Sequence, residues 1–392
     1  MSGPALNDSP GLRKQWPTAQ IAEVVALIAL VCLPWAVSSA IGDRFTDLFV
    51  FAILALGLNV VVGYTGLLHL GIGAFYGIGA YIAGILMLGT NPFHVGFAPA
   101  LLFATIGAAI AGLVLGAPTL RLRGDYLALV TLGFGEVVKV ALRNLEEITN
   151  GMQSLGPLPP PKVPAAAVGV LKALKLGPDF ADYRLFYYLA LAILVGIVLF
   201  LRHLERSRLG RAWVAIREDE LAATCMAINA PRVKLSAFAL SAALAGAAGC
   251  LFATKLTNTA NPHEYGFPLS ITALCCIILG GLGSIRGVLL GVLLLQGYEY
   301  IVAGLLDQWV QGFRDRVVDW FSTGFPASFP PHGASVGKIQ YLLTFSNWKL
   351  MIFGLVLILI VRFRPEGLLP SRRVQHEFST TDHEIGDMGH AK

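Results

Sequence analysis

The stretch GYTGLLHLGIGAFYGIGAYIAG, residues 63–84, indicates what kind of fold this chain adopts. Its flanks are almost wholly apolar, which predicts a position inside a membrane. Yet it contains seven glycines and a histidine where a lipid-facing helix would carry Leu, Ile and Val. Helices in lipid associate through packing and hydrogen bonds, and small residues let their backbones approach closely. The stretch therefore predicts a membrane helix that packs tightly against other parts of the protein.

The composition of the whole chain excludes a soluble globular protein. Of 392 residues, 55% are hydrophobic and only 14% are charged, and the mean hydropathy is +0.68. A soluble domain carries about a quarter charged residues. The five cysteines lack metal-ligand spacing and are interpreted as small buried hydrophobes. We expect an all-α polytopic integral membrane protein with no cofactor of its own and no nucleic-acid partner.

Apolar segments of spanning length recur along the chain. A helix needs about 20 apolar residues to cross a bilayer. About ten segments meet this criterion, at residues 21–41, 46–64, 67–88, 96–117, 125–142, 184–204, 234–254, 267–283, 286–306 and 347–363. The fifth and the eighth are short and interrupted by glycine, so either could be broken or re-entrant.

The positions of basic residues predict the orientation, because Lys and Arg concentrate in cytoplasmic loops. Placing Arg13 and Lys14 inside puts the basic segment 202–234, Arg286 and the C-terminal tail inside as well, with both ends cytoplasmic. The predicted organisation is an N-terminal tail (1–20), six spans with an outer connection near 143–183 (21–204), a cytoplasmic helical region (205–233), three core spans (234–306), a second outer connection (307–346), a last span (347–363) and a cytoplasmic tail (364–392).

One segment, LERSRLGRAWVAIREDELAATCMAINAPRVKLSAF at residues 204–238, does not fit the membrane pattern. Its charge and composition predict a short cytoplasmic helix from Arg211 to Ile228, with Gly210 capping the helix before it. Two interpretations remain open. The segment is either a solvated loop whose charges fix the topology or a docking helix for a soluble partner. In the second case small apolar residues next to carboxylates would form the contact.

Several motifs resemble one family of transport proteins. GRAWVAIREDELAATCMAIN (210–229) and KLSAFALSAALAGAAGCLFA (234–253) resemble the cytoplasmic loop and following helix of ABC-importer permeases, specifically the branched-chain amino acid permease family of the M type. Here Leu221 takes the place of the family's glutamate and Ala227 that of its glycine. Further matching stretches are LGLNVVVGYTGLLHLGIGAFYGIGAYIAGIL (56–86), LRLRGDYLALVTLGFGEVV (120–138), ILGGLGSIRGVLLGVLL (278–294) and FRPEGLLP (363–370).

The resemblance implies a permease subunit that moves branched-chain amino acids across the bacterial cytoplasmic (inner) membrane. It also implies a heterodimer with a sister permease, two cytoplasmic ATPases that bind ATP and Mg, and a periplasmic amino-acid-binding protein. On this interpretation the chain hydrolyses nothing itself. The residues that the resemblance implies in ATPase coupling are Arg211, Arg217, Glu218, Asp219, Glu220, Ala222, Ala223 and Ala227.

Small and polar residues in the spans form a second candidate group. They serve either helix packing alone or a sliding seam whose exposed backbone lines a polar route. This group comprises Asn59, Gly63, Gly66, Gly71, Gly73, Gly77, Gly280, Gly281 and Gly283. Within it, ILGGLGS (278–284) predicts a helix break, because each glycine weakens a helix by about 1 kcal/mol relative to alanine.

Other functions remain as alternatives. A urea or short-amide ABC permease would share similar segments. An ion-coupled secondary transporter would need carboxylates inside the membrane, where the sequence offers little beyond Glu136 and Glu299. Glu136 is expected to pair with Lys139 one turn later, and His69 is interpreted as structural. An enzyme is disfavoured, because no catalytic constellation has motif spacing.

Overall fold

The computed structural model describes residues 16–89, 95–119, 125–161 and 183–303, together with residues 351, 354, 355, 358, 362 and 367–369. All regular structure within these ranges is helical. The helices are α1 (Trp16–Ala36), α2 (Ser39–Asn59), α3 (Ile72–Met87), α4 (Phe97–Thr119), α5 (Asp125–Asn144), α6 (Glu146–Thr149), α7 (Tyr183–Glu205), α8 (Arg208–Glu218), α9 (Glu220–Cys225), α10 (Ala230–Leu256), α11 (Phe267–Gly280) and α12 (Ile285–Gly297). Short π-helical turns extend α2 over Val60–Tyr64 and α12 over Tyr298–Ala303.

The first nine predicted spans each coincide with a helix. Four helices of the described ranges are long and apolar enough to cross a membrane, namely α2 with its π turn, α4, α7 and α10, and the bent pair α11–α12 makes a fifth if counted as one span. A polytopic all-helical membrane fold is therefore present, whereas ten spans and the orientation stay predictions. The last span (347–363), the connection 307–346 and the tails lie wholly or mostly outside the described residues.

Helix α10 occupies the centre of the bundle and packs closely on α2, α3 and α4. Its glycines make this possible, because a Cβ on Gly249 would overlap the carbonyl oxygen of Tyr76 on α3. Gly246 and Gly79 meet backbone to backbone in the same interface. The outward faces of α1 and α4 instead expose large apolar side chains such as Ile28 and Val114, as expected for surfaces in contact with lipid or another membrane subunit.

Ion pairs identify which helix ends lie together. Glu23 on α1 pairs with Arg202 near the end of α7, at 2.9 Å, and with Arg286 at the start of α12. Asp47 near the start of α2 pairs with Lys255 near the end of α10, at 2.5 Å. Each pair joins helix ends that the alternating topology assigns to the same side of the membrane.

After α10, residues 257–266 turn back along α3. Thr259 contacts Gly84 near the end of α3, whereas Tyr265 and Gly266 contact Gly73 near its start. Gly73 and Gly84 are eleven positions apart, which corresponds to roughly 16 Å of helix. We call residues 257–266 the re-entrant segment. Irregular backbone at such depth is tolerated only where it is buried in protein or lines a water-filled cavity.

The helix break predicted from ILGGLGS is present between α11 and α12. The chain changes direction by 120° there, and Gly281 and Gly283 adopt φ angles of 118° and 75°. These values lie in a region that favours glycine. The fifth predicted span, by contrast, forms the unbroken helix α5.

The single helix predicted over residues 211–228 is wrong, because the structure has two helices, α8 and α9. Asp219 separates them: its Oδ1 accepts hydrogen bonds from the backbone N–H groups of Leu221 (2.8 Å) and Ala222 (3.0 Å), which caps α9. The predicted cap at Gly210 is also wrong. Helix α7 ends at Glu205, and Gly210 lies inside α8, where a Cβ would overlap the Leu204 carbonyl oxygen.

Candidate coupling site

Helix α8 is fixed to the bundle by Trp213, which is completely buried. The indole Nε1 donates to the carbonyl oxygen of Val233 (3.0 Å) and lies 3.1 Å from Ser236 Oγ, both on α10. The Trp213 ring stacks on Tyr64 with a centroid distance of 6.2 Å and an interplanar angle of 7°. Helix α8 therefore contacts the end of α2 and the start of α10 at once.

Arg217, near the end of α8, reaches into the membrane bundle. Its Nη1 donates a 2.7 Å hydrogen bond to the carbonyl oxygen of Gly63 in the π turn of α2. The last carbonyls of a helix lack intrahelical partners, so a cation is a favourable donor there. The aliphatic part of the Arg217 side chain lies against Gly66, where φ is +70° and a Cβ would be 3.0 Å from Arg217 Cγ.

Gly63 also touches the break between α11 and α12. The fully buried Asn59 accepts a 3.0 Å hydrogen bond from the backbone N–H of Gly283. A Cβ on Gly63 would overlap Asn59 Oδ1 and lie 2.6 Å from the Gly283 nitrogen. We call this cluster, formed by Asn59, Gly63, Gly66, Arg217 and Gly283, the glycine junction. It joins members of both predicted residue groups, coupling and seam.

The other two glycines of the break hold α11, α12 and the C-terminal motif together. A Cβ on Gly280 would overlap the Gly287 carbonyl oxygen, so the backbones of α11 and α12 touch. Gly281 lies against Gly367 of the FRPEGLLP stretch. Two backbone hydrogen bonds reinforce the contact, from Leu368 to Leu279 (3.0 Å) and from Leu369 to Gly280 (2.9 Å).

The remaining predicted seam glycines lie away from the junction. Gly71 lies against the Thr131 carbonyl of α5, and Gly73 and Gly77 lie against Tyr265 of the re-entrant segment. The residues of the predicted seam thus form several separate contacts, and of these the glycine junction is the one that includes a residue of α8.

Helix α9 exposes an apolar surface. Leu221 and Met226 are 70% and 78% exposed, and Ala222 and Cys225 beside them are exposed as well. We call these four residues the α9 face. Exposed apolar side chains that cluster on one surface are typical of a protein contact.

Two alanines of the predicted coupling group, Ala223 and Ala227, do not form part of the docking surface. Ala223 is buried against Ile216 and Ala230, so it holds α9 onto the chain and offers no docking surface. Ala227 is exposed and follows α9 with φ +62°. A left-handed turn, rather than close helix packing, explains why glycine suits that position.

The charged residues of the group differ in their contacts. Glu220 pairs with the nearly buried Lys234 at 2.6 Å, Asp219 caps α9, and Arg211 donates to the Arg206 carbonyl oxygen at 2.8 Å. Glu218 is exposed at the end of α8.

Sequence reasoning missed the roles of Trp213 and Lys234. Trp213 lies among charged residues and three positions before Ile216, a spacing that places both side chains on one face of a helix. This pattern indicated an apolar face that packs against the bundle.

Two polar groups elsewhere in the bundle were singled out from the sequence. Glu136 and Lys139 form the expected ion pair on α5. His69 is fully buried between the rings of Phe75 and Phe238, with centroid distances of 5.6 and 5.4 Å.

Comparison with known proteins identifies the group to which these features belong. A family model described as "Branched-chain amino acid transport system / permease component" matches residues 40–361. The chain is 36% identical over 363 residues to the high-affinity branched-chain amino acid transport system permease protein LivM of Escherichia coli K12, covering 90% of this chain and 75% of that protein.

Two further relatives extend the comparison. The chain is 28% identical over 262 residues to the permease protein LivH of Salmonella typhimurium, covering 66% of this chain and 83% of LivH. It is 25% identical over 358 residues to a probable LivM of Methanocaldococcus jannaschii, covering 83% of this chain and 91% of that protein. No solved structure matches. The resemblance stated from the sequence motifs is thereby confirmed.

Proposed function

The chain belongs to the family of permease components of the branched-chain amino acid transport system, and we propose that separate ATPase subunits drive it through the α9 face. It is a multi-pass membrane permease subunit of an importer for these amino acids. As a permease component it is not itself the catalytic subunit. The finer statements below concern its coupling, partners and orientation.

The proposed coupling begins at Leu221 and Met226. These side chains enter a groove of an ATPase subunit, and the exposed Glu218 contributes a charged contact at the rim. ATP binds with Mg between the ATPase subunits, which close and displace α8 and α9 together, because Asp219 and the buried Ala223 hold the two helices as one unit.

The displacement reaches the bundle through the glycine junction. The observation that carries this proposal is the hydrogen bond from Arg217 to the Gly63 carbonyl. Gly63 in turn contacts Gly283 at the helix break. Movement of α8 therefore acts on the end of α2 and on the α11–α12 turn at the same time. Small-residue contacts of this kind can shift without the removal of interlocked side chains.

The proposed assembly pairs this chain with a sister permease. Similarity to both a LivM and a LivH protein supports two related permeases within one importer. An external amino-acid-binding protein would select the cargo, which fits spans with few polar side chains. The proposed location is the bacterial cytoplasmic membrane, with ten spans and both chain ends inside. The ion pairs at the two ends of the bundle support the alternating direction of the helices.

Reconstitution tests this proposal directly. The chain, the sister permease, the two ATPases and the binding protein are incorporated into liposomes, and uptake of radiolabelled leucine and urea is measured. We expect ATP-dependent leucine uptake that requires the ATPases. Preferential urea uptake would instead indicate an amide permease. Leucine uptake that persists without ATPases and collapses with the proton gradient would indicate an ion-coupled transporter.

A further inference from the structure

A cavity of about 90 Å³ lies beside the re-entrant segment. Asp47 of α2 lines this cavity. Asp47 and Gly63 are sixteen residues apart on the same helix, so the cavity lies roughly 24 Å from the glycine junction. A single water needs about 10–15 Å³ of such space, so the cavity can hold several waters or a small aliphatic group.

The walls of the cavity differ in chemistry. One part is apolar and consists of Val50, Phe51, Phe252 and Leu269. The remainder carries the rings of Tyr76 and Tyr300 and the carboxylates of Asp47 and Glu264. A lining that combines apolar side chains with carboxylates and aromatic rings matches a small molecule with a hydrocarbon end and a cationic end.

The two carboxylates are not equivalent. Asp47 is already paired with Lys255 at 2.5 Å. Among the described residues, no basic side chain forms an ion pair with Glu264, which is exposed at the deep end of the re-entrant segment. The next residue, Tyr265, lies against Gly73 and Gly77 of α3. A carboxylate at this depth would be costly if it faced lipid, so Glu264 faces water, a ligand or another protein.

We propose that this cavity is a passage site for the transported amino acid, in which Glu264 receives the α-ammonium group and Val50, Phe51 and Leu269 contact the branched side chain. The proposal rests on the proposed function and names the binding step inside this subunit. The surrounding rings add cation–π attraction to the ammonium group. Glu264 is exposed, so the site encloses the ammonium group only in part. It therefore holds the cargo briefly and leaves selection to the external binding protein.

The first test compares Glu264→Gln with Glu147→Gln in the reconstituted complex. Glu147 is an exposed carboxylate on α6 and serves as the matched control. We expect ATP-driven leucine uptake to fall about ten-fold in Glu264→Gln, because an ammonium–carboxylate contact is replaced by a neutral one. ATPase activity stimulated by the binding protein should be unchanged. Equal uptake by the two variants would overturn the proposal, whereas absent uptake by the wild-type complex would overturn the proposed function instead.

The second test does not depend on the stability of a Glu264 variant. Leu269→Cys is labelled with a thiol reagent in the complex, with labelling at position 269 followed by mass spectrometry. We expect millimolar leucine to slow labelling and 4-methylpentanoate, which has the same hydrocarbon end without the ammonium, to leave it unchanged. Equal protection by both compounds would show that the ammonium group is not recognised, and no protection by leucine would show that the amino acid does not enter the cavity. Either result would overturn the proposal.

Discussion

Arg217 and Gly63, 154 residues apart in the chain, are joined by a 2.7 Å hydrogen bond from the guanidinium Nη1 to the carbonyl oxygen. This bond connects helix α8 to the end of α2. Gly63 in turn touches Gly283 at the break between α11 and α12. A force on α8 therefore has a direct path to two elements of the membrane bundle.

Removal of this bond should uncouple transport from ATP hydrolysis. In Arg217→Ala the Gly63 carbonyl loses its charged donor, a contact worth about 1.5–3 kcal/mol. We expect leucine uptake to fall at least about ten-fold while the complex still assembles and hydrolyses ATP. The control is Arg208→Ala, since Arg208 is an exposed arginine at the start of the same helix and lies outside the predicted coupling group. Similar uptake by the two variants would mean that the bond carries no coupling.

The α9 face should determine the affinity for the ATPase. Burial of Leu221 and Met226 in a partner would contribute about 1.5–3 kcal/mol for each side chain. We expect the Leu221→Ser and Met226→Ser double variant to co-purify with at least about ten-fold less ATPase. Leu145→Ser with Met152→Ser is the control, because those side chains are about half exposed at the other end of the bundle. Undiminished co-purification of the α9 variant would exclude this face as the docking surface.

The centre of the bundle should not tolerate a methyl group on α10. A Cβ at Gly249 would overlap the Tyr76 carbonyl, whereas nothing lies within 4 Å of a Cβ at Gly196 on α7. Gly249→Ala should therefore destabilise the protein by about 1–3 kcal/mol, and Gly196→Ala should leave it unchanged or slightly more stable. Thermal unfolding in detergent measures both. A Gly249→Ala protein as stable as wild type would mean that the α3–α10 interface is looser than described.

Glu218 and Glu220 should respond differently to substitution. The side chain of Lys234 is only 8% exposed, and Glu220→Gln would leave its ammonium group without its charged partner. A buried charge that loses its partner is costly, so this variant should assemble poorly. Glu218→Gln should assemble normally and weaken only the contact with the ATPase. Size-exclusion profiles of the two purified variants distinguish these effects, and equally poor assembly of both would contradict the assignment.

Much of the fold could be predicted from the sequence, because each apolar run of spanning length up to residue 303 is a helix. The break at 278–284 and the Glu136–Lys139 pair were likewise local features with local causes. The split at Asp219 was harder to foresee. Its carboxylate accepts hydrogen bonds from two backbone N–H groups and so starts a new helix. The charged helical pattern of residues 211–228 is equally consistent with one continuous helix.

The candidate site could be predicted only in pieces. Asn59, Gly63, Arg217 and Gly283 each stood out by residue type, but their contact joins positions up to 224 residues apart, for which a single sequence contains no signal. The re-entrant segment was missed for a different reason. Its composition, TNTANPHEYG, is that of a solvent-exposed turn, and only contacts with glycines of α3 place it inside the bundle.

The accessibility of Cys225 is the most direct test of the central claim that α8 and α9 form a cytoplasmic lever for an ATPase. Cys225 is an exposed native thiol on α9, so no substitution is needed. A membrane-impermeant thiol reagent should label it in inside-out vesicles, and bound ATPase subunits should slow that labelling. Labelling of Cys225 in right-side-out vesicles, or a rate that is unaffected by the ATPases, would contradict the account.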